Sequence, residues 1–204
     1  MMSAVQTLAM LSLLSLSSAT ALFFGRPDTV ANANGQPIDE QCIAHGEAGD
    51  CEFYDCFEQR LSCGASGYMK KFGTPYCDRF QRSLSTFTPQ GQAFVNGSSQ
   101  CLTKALLPFY RQDQVDCHRL SHEAFDVVSS CYVSNGFCVV LKDNAPVFMD
   151  IYQPKHLFQT GALKIWREIL EVTYKCDPER YHSFANTAFN LLSKAVNYFT
   201  SFYM

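Results

Sequence analysis

Ten cysteines carry the clearest chemistry in this chain. Their number is even, so every thiol can find a partner and no free nucleophile need remain. No Cys-x-x-Cys pair occurs, which disfavours a zinc site. In an oxidising compartment such a set forms disulfides, and we expect all ten to pair within one chain. The half-cystines are Cys42, Cys51, Cys56, Cys63, Cys77, Cys101, Cys117, Cys131, Cys138 and Cys176.

The segment HRLSHEAFD, residues 118–126, is the strongest candidate for enzyme chemistry. His118 and His122 are four residues apart, so on a helix they would share a face and could bind a metal. The His-Glu-x-x-His motif fails because Asp126 stands in the last position, and the inverted motif fails at Ser121. We therefore interpret both histidines as surface residues and expect no enzyme activity, metal or cofactor.

Residues 1–21 resemble a signal peptide. Leu8 to Ala21 form an uncharged apolar stretch that ends in the small-x-small pattern of a cleavage site. The stretch is shorter than the ~20 residues that span a bilayer. It lacks a preceding Lys or Arg, and a frayed terminus or a buried helix is the alternative. We expect a secreted, extracellular protein, in which disulfides persist.

Composition limits the remaining classes of function. The chain has 204 residues and a net charge of -3, and its Lys and Arg residues form no basic stripe for nucleic acid. No second apolar run suggests a membrane span, and Lys194 interrupts the C-terminal one, which disfavours a GPI signal. We expect a flexible arm over residues 22–41 and one domain over residues 42–204.

Apolar residues repeat at helical spacing along most of that domain, and the predicted fold class is all-α, a single disulfide-rich helical domain. Thr88-Pro89 is the clearest helix start. We expect this helix to end at Pro108, Asp113 to cap the next helix and Asn144 to open a short one.

A long helical pattern runs from residue 160 to 176. A long amphipathic C-terminal helix is predicted after Asp177-Pro178. Strand signals are weak, and the only candidates are Tyr132-Val133 and Cys138 to Leu141.

Asn96-Gly97-Ser98 is the single N-glycosylation sequon. In a secreted chain, on the polar face of the helix that begins at Thr88, we expect Asn96 to carry a glycan. The alternative is a helical surface asparagine without one.

The cysteine spacing resembles that of the stanniocalcin family of secreted glycoprotein hormones. The resemblance runs from Cys42 past Cys176 and includes the segment GQAFV, residues 91–95, with Cys101 after it. The interval between Cys63 and Cys77 is longer than in the vertebrate hormones, which suggests a divergent branch.

Sequence alone leaves roughly nine hundred possible pairings of ten cysteines. The family resemblance implies one of them: Cys42–Cys56, Cys51–Cys77, Cys63–Cys117, Cys101–Cys131 and Cys138–Cys176.

The resemblance also bears on assembly. Family members typically carry an eleventh cysteine near the last helix that links two chains, and no cysteine follows Cys176 here. Tyr198, Phe199 and Phe202 form an aromatic cluster in the corresponding segment. They would either pack on their own domain or form the contact of a non-covalent homodimer, which we expect.

What the resemblance implies about function is a hormone or paracrine factor that regulates calcium and phosphate homeostasis. Its partner would be a cell-surface receptor or a secreted metalloproteinase of the pappalysin type. The alternative is an extracellular binding module without hormone action, either an inhibitor of such a protease or a small-ligand carrier. A carrier would enclose a cavity lined by Phe and Tyr.

Overall fold

The computed structural model describes residues 30–152 and 162–176. Over these ranges the chain is mostly helical, which confirms the predicted all-α class. The helices are α1 Glu40–Ala48, α2 Glu52–Arg60, α3 Thr74–Arg82, α4 Pro89–Tyr110, α5 Cys117–Ser134, α6 Phe137–Ile151 and α7 Ala162–Cys176. The signal peptide, residues 22–29 and the predicted C-terminal helix lie outside the described residues.

Short segments complete these elements. A π-helical turn, Met69–Gly73, leads into α3, and a 3-10 turn, Leu84–Thr86, follows it. Two strands of three residues, β1 Val30–Asn32 and β2 Gln114–Asp116, pair antiparallel, with Ala31 opposite Val115.

The longest described helix, α4, lies at the centre and packs against α1, α5 and α6. It begins as predicted, because the Thr88 hydroxyl accepts a hydrogen bond from the Gly91 N–H at 3.1 Å and Pro89 takes the first helical position. The predicted end at Pro108 is wrong, since α4 continues to Tyr110. Burial of Phe109 and Tyr110 outweighs the one hydrogen bond that proline cannot donate.

The predicted flexible arm is wrong for its described part, residues 30–41. Strand β1 pairs with β2, and Ala31 and Ala33 are buried. Asp39 then caps α1 by accepting the Gln41 N–H at 2.8 Å. The partner strand is far away in the sequence, so no local pattern could indicate this pairing.

Both strand candidates are helical instead. Residues 132–133 lie in α5 and residues 138–141 lie in α6. Helix α5 is capped by Asp116, which accepts the Arg119 N–H at 2.9 Å, and not by Asp113. Asn144 lies inside α6 instead of opening a helix, and its buried side chain bonds to the start of α4.

Five disulfides join these elements, and they are the five pairs that the family resemblance implies. Three of them connect neighbouring helices: α1 with α2, α4 with α5, and α6 with α7. The other two connect the turn before α2 with α3, and the loop after α2 with the start of α5. Because loop closure restricts the unfolded chain, the last bridge, which closes 54 residues, contributes ~4 kcal/mol in the chain-entropy model.

Aromatic rings fill the space between the helices. Phe53 and Phe57 of α2 contact Tyr110 at the end of α4. A second group surrounds the middle of α4 and consists of Phe80, Phe94, Tyr132, Phe137 and Phe148. The rings meet mostly edge to face, the arrangement that aromatic pairs favour.

Candidate functional site

An aromatic cavity of about 80 Å³ lies between α3, α4, α5 and α7. Its wall includes rings that the sequence scatters over more than eighty positions. Tyr68 and Phe72 come from the segment before α3, Phe94 from α4, and Tyr152 from the end of α6. The side chains of Ile169 and Val172 on α7 line another wall.

Burial governs the chemistry of the tyrosines at this cavity. The hydroxyls of Tyr132 and Tyr152 share a hydrogen bond of 2.7 Å. Burial raises the pKa of Tyr132 to about 12 and holds the pKa values of Tyr68 and Tyr152 well above the usual range for tyrosine. These hydroxyls therefore stay neutral at physiological pH.

The described part of α7 carries charge at one edge of the cavity. Partial burial, and then the nearby carboxylate of Glu171, raise the pKa of Glu168. Lys175 donates to the Ser129 hydroxyl of α5 at 2.7 Å and pairs with Glu171 at 2.9 Å. A polar clamp therefore holds α7 to α5 beside the apolar wall.

The volume of the cavity decides how much it can hold. Small-molecule sites are typically roughly 300–1,000 Å³, and this cavity has about 80 Å³. It has the Phe and Tyr lining expected of a carrier, but the space among the described residues is too small for a ligand of ordinary size.

The two histidines that could have bound a metal lie on the outer face of α5. His118 is exposed, and His122 pairs with Asp126 at 2.8 Å while both side chains are exposed. Over the described ranges, no group of three or more His, Cys, Asp or Glu side chains is placed to hold a metal ion.

The sequon lies in the middle of α4. Asn96 is exposed and borders a polar cleft of about 310 Å³. Ser98 is buried and lies on the wall of the aromatic cavity. The predicted dimer contacts Tyr198, Phe199 and Phe202 lie outside the described residues.

Sequence reasoning missed the buried Arg60, whose guanidinium joins three segments. It donates to the backbone carbonyls of Gln36, Tyr110 and Gln112 and to Asp113. No sequence signal could have found this cluster, because its acceptors are mostly backbone carbonyls and all lie in distant segments.

No single described helix is long and apolar enough to cross a membrane. Helices α5 and α6 have the necessary length and apolarity only when taken together, and the chain bends by 102° between them.

Together these features define a class of protein: a helical domain cross-linked by five disulfides. Among the described residues it has no cluster of side chains that could hold a metal ion. Within that class the family can be named. The chain belongs to the stanniocalcin family, whose model matches residues 26–198. No curated protein matches the chain in a sequence comparison.

Proposed function

We propose that the chain is a secreted stanniocalcin-like glycoprotein that acts as a hormone or paracrine factor on calcium and phosphate homeostasis. Its partner is a cell-surface receptor. The observation that carries this proposal is the family match over residues 26–198. The apolar leader and the fully paired cysteines support secretion, because disulfides persist in extracellular proteins.

The experiment is a transport measurement on an epithelial cell layer with the protein purified from a secretory host. We expect a saturable change in calcium or phosphate flux when the native protein is added. Protein that has been reduced and alkylated is the control and should have no effect. Native protein without any effect on either flux would contradict the proposal.

A second candidate is an inhibitor of secreted metalloproteinases of the pappalysin type. The size of the aromatic cavity favours it over the small-ligand carrier, since a protein partner needs a surface and not a cavity. The test is to titrate such a protease with the chain. If the protease loses activity and the chain has no effect on ion flux, inhibition and not hormone action is the function.

We also propose that the protein forms a non-covalent homodimer. The support is the aromatic cluster Tyr198, Phe199 and Phe202, at the position where family members join two chains. Apolar burial of that cluster would substitute for the interchain disulfide.

A further inference from the structure

The polar cleft beside Asn96 lies between three structural elements that pack together. Its floor is the turn between α1 and α2, one side is α3, and the other is α4. The volume of about 310 Å³ is at the lower end of the roughly 300–1,000 Å³ that small-molecule sites occupy. The lining residues are Ala48, Gly49, Asp50, Cys51, Gln81 and Asn96.

Packing explains the middle residue of the sequon. A Cβ at position 97 would collide with the side-chain oxygen of Asn135. A larger residue at position 97 would force the Asn135 side chain to move away from α4. Glycine avoids that movement, at the ~1 kcal/mol that it costs inside a helix.

Packing does not explain the last residue of the sequon. Ser98 is 3% exposed, and its hydroxyl has no hydrogen-bond partner among the described residues. A buried unpaired hydroxyl is unfavourable, and alanine would fill this helical position better. The hydroxyl is, however, the group that a glycosylation sequon requires.

The cleft has groups that complement an N-acetylglucosamine. Asp50 supplies carboxylate oxygens, one of which lies 2.9 Å from the His45 ring. Gln81 and Asn96 are exposed, and the Gln81 amide can both donate and accept hydrogen bonds. The hydroxyl and acetamide groups of the sugar can also do both.

We propose that Asn96 carries an N-linked glycan whose first N-acetylglucosamine lies in this cleft, against Gln81 and Asp50. This proposal rests on the secretion included in the proposed function. The attached sugar holds the α1–α2 turn against α3 and α4. Because it is covalently linked, it is present at high effective concentration, and a group that binds only the folded state stabilises it.

The test uses two enzymes on protein from a secretory host. An endoglycosidase leaves one N-acetylglucosamine on the asparagine, and an amidase removes the whole glycan. We expect the one-sugar form to have the same melting temperature as the untreated protein. The melting temperature of the sugar-free form should be about 2–4 °C lower. Amide hydrogen exchange should accelerate in residues 47–51 and 78–82 of the sugar-free form only.

Variants separate the parts of the proposal. Gln81→Ala should reduce the melting difference between one-sugar and sugar-free protein, and Gln41→Ala, at the far end of α1, should preserve it. Ser98→Thr should keep the glycan, whereas Ser98→Ala should abolish it. Asn96→Asp reproduces the side chain that the amidase leaves, so this variant should have the same melting temperature as the sugar-free form.

Two results would overturn the proposal. If amidase treatment does not shift the gel mobility of the secreted protein, Asn96 carries no glycan. If the one-sugar and sugar-free forms have equal melting temperatures, the first sugar makes no stabilising contact with the cleft. Neither result affects the proposed hormone action, which the flux measurement tests separately.

Discussion

At the scale of single residues, Arg60 shows how a buried charge can organise a chain. Its side chain is 4% exposed, while its ion-pair partner Asp113 is 94% exposed. Such a pair gains little from Coulomb attraction alone. The stabilisation therefore comes from the guanidinium donors, which satisfy the carbonyls of Tyr110 at 2.7 Å and Gln112 at 2.6 Å.

Arg60→Gln should lower the free energy of unfolding by about 2–4 kcal/mol, because it leaves partly buried carbonyls without donors. Urea denaturation measures the change. Arg82→Gln is the control, since Arg82 is exposed and its ion pair with Asp78 joins residues of one helix; it should change stability by less than ~0.5 kcal/mol. Equal stability of the two variants would contradict the role assigned to Arg60.

The buried tyrosines predict a transition at alkaline pH. An unfolded tyrosine has a pKa of about 10, and burial raises the pKa of Tyr132 to about 12 and those of Tyr54, Tyr68 and Tyr152 in the same direction. The neutral form is favoured in the folded state. Its contribution to stability is therefore complete below pH 10 and is lost as the pH rises toward ~12.

We expect these tyrosines to ionise together with unfolding. The measurement is tyrosinate absorbance followed beside far-ultraviolet circular dichroism during a rise in pH. If all the tyrosines ionised near pH 10 with the helices intact, the assignment of buried hydroxyls would be wrong.

At the scale of elements, Asn144 joins α6 to the start of α4. Its side-chain oxygen accepts the Thr88 N–H at 2.8 Å, and its amide donates to the Thr88 hydroxyl at 3.1 Å. The same amide donates to the Val140 carbonyl within α6. One buried side chain therefore supports two helices.

Asn144→Ala should lower the free energy of unfolding by about 2–3 kcal/mol, since it leaves a backbone N–H at the start of α4 without this acceptor. Thermal and urea denaturation would measure the loss. Lys142→Ala, an exposed change on the same helix, should have little effect. A loss no larger than that of the control would contradict the described contact between α6 and α4.

Local patterns account for the elements that the sequence predicts correctly. The cap at Thr88 and the helix of residues 162–176 follow from residue types and apolar spacing within a few turns. The strands of three residues and the continuation of α4 past Pro108 do not, because tertiary burial determines both. The aromatic cavity and the Arg60 cluster join distant segments, so no local pattern could predict them.

At the scale of the whole molecule, assembly remains a prediction from the sequence. We expect a homodimer, because each aromatic side chain buried between the chains would contribute roughly 1.5–3 kcal/mol. Since no covalent bond would join the chains, the dimer should dissociate on dilution. Light scattering over a dilution series, with and without reductant, measures it.

Phe199→Asp should give a monomer, and Val139→Asp, which adds the same charge at an exposed site on α6, should leave the dimer intact. A wild-type monomer at every concentration would exclude the dimer. A dimer lost only on reduction would show an interchain disulfide instead.

The disulfide pattern connects the fold, the family and the expected extracellular location. Five bridges span the described domain from Cys42 to Cys176, and no described cysteine is free. The bridges join neighbouring elements, so this set of pairs is the one that the helical arrangement described above brings within bonding distance.

Disulfide mapping of the secreted protein is the most direct test of this arrangement. The unreduced protein would be collected from culture medium, digested after thiol labelling, and its linked peptides identified by mass spectrometry. We predict no labelled cysteine and five linked pairs: Cys42–Cys56, Cys51–Cys77, Cys63–Cys117, Cys101–Cys131 and Cys138–Cys176. A stoichiometric free thiol, or a bridge between cysteines outside these pairs, would contradict it.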